Sequence, residues 1–150
     1  MDGFDMKLFT IGFTGKTAEK FFDLLGNSRA TKLIDIRINR TSQLAGFAKE
    51  QDLEYFVPKL AGMQYQVWED LAPTKELLAI YRDKKISWAE FSQQYQDLIN
   101  IRGVLNRSSQ IDFENSVLLC SENLPLKCHR SLLSEMIIDQ YPNLQEIHLT

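Results

Sequence analysis

A chain of 150 residues, 44% hydrophobic and 25% charged, is enough for one hydrophobic core, which excludes a disordered polymer and leaves no room for two domains. Its formal net charge of −3 provides no global field for nucleic acid or an anionic membrane, so any anion site must be local. No secretory leader and no apolar run near the ~18 residues of a membrane span are visible, so the expectation is a cytoplasmic protein with no membrane partner and with its two cysteines, Cys120 and Cys128, as reduced thiols.

Met1 to Met6 reads as a short leader before the first strand. Lys7 to Gly12 has the apolar run of a buried strand, and Thr17 to Gly26 reads as a helix with Thr17 at its cap, Glu19 in its first turn and Gly26 at its end. Lys32 to Ile36 is a second short strand, followed by a long polar stretch from Arg37 to Lys49. Gln51 to Leu60 predicts a short helix stopped near Pro58, and Met63 to Val67 a third strand. Leu77, Leu78 and Tyr81, then Trp88, Phe91, Tyr95, Leu98 and Ile99, recur at helical spacing, which predicts two helices separated near Ser87 with their aromatics in the core. Val117 to Cys120 is a fourth strand, Leu132 to Ile137 lies in a helix, and Glu146 to Leu149 closes the chain as a strand.

This order predicts a single α/β domain over residues 1–150, a Rossmann-like three-layer sandwich with a mostly parallel central sheet. Ligands in such sheets bind outside the carboxyl ends of the strands, so residues that follow a strand become the candidates. Asp35 and Arg37 lie two apart at the end of the second strand and face the same side if the strand persists. Cys120 and Glu122 repeat that spacing after the fourth strand. Cys128, His129 and Arg130 fall at the start of the next helix, where free N–H groups and the helix dipole favour an anion and depress a thiol pKa.

These same stretches resemble the bacterial and archaeal "domain of unknown function 488" proteins. The likeness is carried by Thr10-Ile11-Gly12, Asp35-Ile36-Arg37, Ser42 with Gly46-Phe47 and Lys49, Leu119-Cys120-Ser121-Glu122, Pro125 and Cys128-His129-Arg130, with His148 similar to a histidine of the family's last strand. The resemblance implies an α/β fold and a candidate site, but no reaction. Family members commonly carry His where this chain has Phe13, and Pro where it has Arg40.

Several of these groups have a plainer reading beside the functional one. Consecutive helical residues point about 100° apart, so a direct Cys128–His129 pair is not expected unless the helix starts later. Both cysteines could be small buried hydrophobes. Cys120, Cys128, His129 and His148 make a formal Cys₂His₂ set, but the seven residues between the cysteines are not a zinc-knuckle spacing, and no metal is expected. A disulfide between the cysteines is sterically conceivable, although Cys-x-x-Cys is absent. The loop Gly12 to Thr17 is shorter than Gly-x-x-x-x-Gly-Lys-Ser/Thr, so neither ATPase activity nor a cofactor is expected. With Thr14 and Lys16 it could hold one phosphate, or be only a tight glycine turn.

The leading expectation is an enzyme, a hydrolase or transferase, acting on a phosphate- or carboxylate-bearing ligand such as a nucleotide or nucleic-acid fragment. Arg37 and Arg130, helped by Cys120, Arg40 and Thr14, would bind the anion. Cys128 would be nucleophile or polariser, with Glu122, Asp35 or His129 moving protons. A second reading is a non-catalytic module in which Arg37, Arg40, Lys49 and Lys59 with Phe47 contact nucleic acid or a protein. A third is structural, with Asp35 paired to Arg130 or Glu122 to Arg37.

Overall fold

Short runs rich in β-branched, leucine and aromatic side chains, with polar residues alternating in the two outer strands, form β1 (Lys7–Gly12), β2 (Lys32–Asp35), β3 (Gln64–Val67), β4 (Ser116–Cys120) and β5 (Gln145–Leu149). They pair in the order β3-β2-β4-β1-β5, every pair parallel, so the sheet is more uniform than the mostly parallel one expected. The computed structural model describes residues 6–41, 46–120 and 128–150. No helix among the described residues is long and apolar enough to cross a membrane.

Side chains alternate across a strand, and each face of the sheet buries its own cluster. On one face Phe9, Ile11, Leu33, Val117 and Leu119 pack against α1 (Ala18–Ser28) and α2 (Glu50–Phe56) through Phe21, Leu25 and Leu53. On the other, Leu8, Ile34, Ile36 and Leu118 meet α3 (Lys75–Arg82), α4 (Trp88–Arg102) and α7 (His129–Gln140) through Leu77, Phe91, Tyr95 and Leu133. The single-turn helices α5 (Val104–Arg107) and α6 (Gln110–Phe113), too short for a periodic signal, add Val104, Leu105 and Phe113 to that second layer. The three-layer α/β sandwich is therefore observed.

Two element ends differ from the sequence reading. Helix α1 runs past Gly26 to Ser28, and Arg29 instead adopts the left-handed cap at φ 61°, its N–H donating to the Gly26 carbonyl. Pro58 does not stop the chain's winding after α2, because it sits in the first turn of a π-helical segment, Val57–Ala61, where its missing N–H is not needed. That segment ends at Gly62, whose φ of 67° suits a residue without a side chain.

The position of the candidate site follows from β4. It lies between β2 and β1, with Asp35 paired to Leu119 and Gly12 to Cys120. The ladder continues past β2 through the Ile36 N–H to the Leu119 carbonyl at 3.1 Å. The ends of β1, β2 and β4 and the start of α7 thus meet at the carboxyl edge of the sheet.

Candidate functional site

At the end of β2 the Asp35-Ile36-Arg37 triplet closes on itself. Arg37 donates to the Asp35 carboxylate through Nε at 2.8 Å and Nη2 at 2.7 Å, and its main-chain N–H adds a third bond at 3.1 Å. Tyr65, across on β3, donates its hydroxyl to Asp35 Oδ2 at 2.6 Å. Burial, and then the Asp35 charge it faces, raise the Tyr65 phenol well above its ordinary pKa. Asp35 and Arg37 are 0% and 3% exposed, so this is a buried, bidentate pair with its acceptor oxygens occupied. The pair joins residues two apart at the end of one strand. Asp35 shares the face of Leu33 and Tyr65, the α1/α2 side, whereas Cys120 lies on the α7 side, so their side chains do not converge. Arg37 lies beyond the strand, and its guanidinium stacks 5.3 Å from the Phe13 ring centroid.

The second group assembles across the β4-to-α7 connection. Cys128 caps α7 with extended backbone, φ −128° and ψ 141°, so it stands outside the helix and escapes the angular separation from His129 that applies within one. Cys120, Cys128 and His129 consequently bring sulfur and imidazole nitrogen atoms within 4.8 Å of one another. The expectation of reduced thiols is corrected here: Cys120 and Cys128 are joined as a disulfide, because the end of β4 and the cap of α7 face each other. Arg130, wholly buried, directs Nη1 to Cys120 Sγ at 3.7 Å and to Cys128 Sγ at 4.0 Å.

His129 Nε2 lies 2.9 Å from the Ile36 carbonyl, an acceptor, so Nε2 carries the hydrogen and Nδ1 keeps a lone pair. Burial lowers its pKa to about 4, and the nearby Arg130 and Arg82 charges act in the same direction, against the Ile36 hydrogen bond and the Asp35 charge. The imidazole is neutral at pH 7. It ties α7 to β2, and its ring meets Tyr95 edge-on at 5.6 Å. The three soft donors could hold a metal ion, but a dication there would stand beside the buried Arg130 guanidinium.

A pocket of about 90 Å³ opens over these groups, lined by Cys120, Cys128, His129 and Arg37 together with Asn39 and Arg82 and an aromatic wall of Tyr81, Trp88 and Phe91. Trp88 stacks on Phe91 at 5.4 Å, and Tyr81 meets both rings. Sequence reading assigned these aromatics to the core, and Phe91 and Tyr95 are indeed buried, but Tyr81 and Trp88 remain partly exposed at the pocket. Arg82 was not anticipated. Its signal is modest, a cation ending α3 just before the break at Ser87.

The family model described as "Domain of unknown function DUF488" matches residues 17–137. The chain belongs to the DUF488 family. No curated protein and no solved structure matches it.

Other expected site residues of this DUF488 protein are engaged elsewhere or lie apart. Arg40 bonds Glu50 at 2.9 Å, Glu69 at 2.7 Å and the Arg37 carbonyl at 3.1 Å, which raises its pKa and fastens the post-β2 loop to α2 and the β3 end. Thr14 is exposed in the β1–α1 connection, away from the pocket lining. That connection is a turn closed by the Lys16 N–H on the Phe13 carbonyl at 3.1 Å, with Gly15 at φ 79°, so the glycine-turn reading holds there. Glu122, Ser42 and Pro125 lie outside the described residues. His148 accepts or donates to Thr10 at 2.6 Å and faces Glu146, which also takes the Ser134 hydroxyl, so it belongs to a β1–β5–α7 network rather than to the cysteines. Of the four cations considered for a nucleic-acid or protein surface, Arg37 is buried and Arg40 is paired twice.

Proposed function

We propose that this DUF488 protein is an enzyme, a hydrolase or transferase, that takes a small phosphate- or carboxylate-bearing ligand into the pocket at the carboxyl edge of the sheet. One observation carries the reading: a single concave site combines two sulfurs, two guanidinium groups and an aromatic wall. Arg82 offers charge to the anion, Arg37, its charge already offset by Asp35, and Asn39 offer hydrogen bonds, and Tyr81 and Trp88 flank any planar part of the ligand. About 90 Å³ of room suits a phosphate or carboxylate head group.

Cys128, once reduced, is the nucleophile of this proposal. It caps α7, where free N–H groups favour an anion, and the Arg130 cation lies beside its sulfur. Neutral His129 keeps a lone pair on Nδ1 to accept a proton, while Asp35 serves by fixing Arg37. The non-catalytic module is the weaker reading, since two of its four cations, Arg37 and Arg40, are committed to internal carboxylates.

Thermal melts of the reduced chain against inorganic phosphate, acetate and a nucleoside monophosphate test this. Phosphate at about ten times its Kd is expected to add roughly 1.4 kcal/mol of stability, and Arg82→Gln to remove most of that shift. A wild-type melt unmoved by every anion would reject the pocket.

A further inference from the structure

The proposed nucleophile is tied up in the structure, since Cys128 is bonded to Cys120. Around that bond the surroundings favour the broken form. The Arg130 guanidinium, 0% exposed, lies 3.7 Å from one sulfur and 4.0 Å from the other. Cys128 adds the N-terminus of α7, a helix of 12 residues. A buried cation and a helix dipole stabilise thiolate, and stabilising the reduced form makes a disulfide easier to reduce. Both sulfurs also line the pocket, so a small reductant has a route to them.

We propose, resting on the function given above, that Cys120 and Cys128 are a reversible dithiol–disulfide pair that gates the site, closed when bonded and active when reduced by a dithiol. A thiolate of the reductant attacks one sulfur, a mixed disulfide forms, and the other cysteine leaves as thiolate. The second thiol of the reductant then closes its own disulfide and releases the first cysteine. The reductant loses two electrons; of its two hydrogens, one ends on Cys120 and the other goes to solvent as a proton, leaving Cys128 as thiolate beside Arg130.

Equilibrating the full chain in buffers of graded reduced-to-oxidised dithiothreitol, then quenching and alkylating with a mass-tagged maleimide, reads the state of both cysteines. One transition between zero and two tagged cysteines, the same from either direction, is expected. Arg130→Met should require a ratio on the order of tenfold more reducing, while Arg130→Lys should stay near wild type. If the methionine variant does not fold, the wild-type titration decides alone. Two tagged cysteines in the most oxidising buffer, or none in the most reducing, would overturn the gate. So would one equivalent of zinc retained by the reduced chain and lost in Cys120→Ser. An intact transition in a chain that no anion stabilises would sink the pocket reading and leave the redox pair, whereas anion binding without a transition would do the reverse.

Discussion

Burial and the flanking guanidinium groups hold the His129 imidazole neutral down to about pH 4, below its ordinary 6.5. Between those two values the unfolded chain binds a proton that the folded chain does not. The stability owed to this neutral group is therefore complete above pH 6.5 and is lost as the pH falls toward 4. Glutamine at this position keeps an N–H for the Ile36 carbonyl and cannot titrate. Urea unfolding at pH 7 and pH 4.5 is expected to cost the wild type about 2 kcal/mol more than His129→Gln. Equal losses in the two proteins would clear the imidazole of the effect. The Asp35–Arg37–Tyr65 cluster acts at the same scale but toward position, since a guanidinium with Nε and Nη2 fixed on a carboxylate presents its remaining edge in one orientation.

Helix α4 brings the aromatic wall to the sulfurs, and its start is set by a local device. The Ser87 hydroxyl accepts from the Glu90 N–H at 3.1 Å, and the Glu90 carboxylate accepts from the Ser87 N–H at 3.0 Å, a reciprocal cap. Trp88 and Phe91 sit in the turn it fixes, so the cap governs one wall of the pocket. Ser87→Ala should cost about 1 kcal/mol, read as a lower urea midpoint with an unchanged slope, and Ser87→Asp should restore most of it. A midpoint that does not move would mean that tertiary contacts alone set the start of α4. Helix α7 shows the contrast: its cap residue, Cys128, makes no side-chain capping bond and gives its sulfur to Cys120 instead.

At the scale of the molecule, the sheet lies between two helical layers, each with its own buried cluster, and β4 lies in its middle. Both tryptophans, Trp68 and Trp88, pack with the α3/α4/α7 cluster, while Leu119 is fully buried in the opposite one. Leu119→Ala should lower stability by about 2–5 kcal/mol, and tryptophan fluorescence should shift together with far-UV circular dichroism. Fluorescence that kept its wild-type midpoint would show that the layers unfold separately. As for origins, the strand runs of β1 and β4, the Ser87 break and the clustering of Asp35, Arg37, Cys120 and Cys128-His129-Arg130 at strand ends could be read from residue order, because alternation, capping and carboxyl-edge placement are local properties of a chain. Partnership was not legible. Arg40 finds Glu69 and Tyr65 finds Asp35 only because β3 lies beside β2. Register gives Asp35 and Cys120 opposite faces, and the Arg82–Trp88 wall comes from a layer whose helices carry no mark of where they dock. Sequence determines the period and the chemistry of each element; which side chains share a pocket depends on strand order and helix docking, both set by non-local burial.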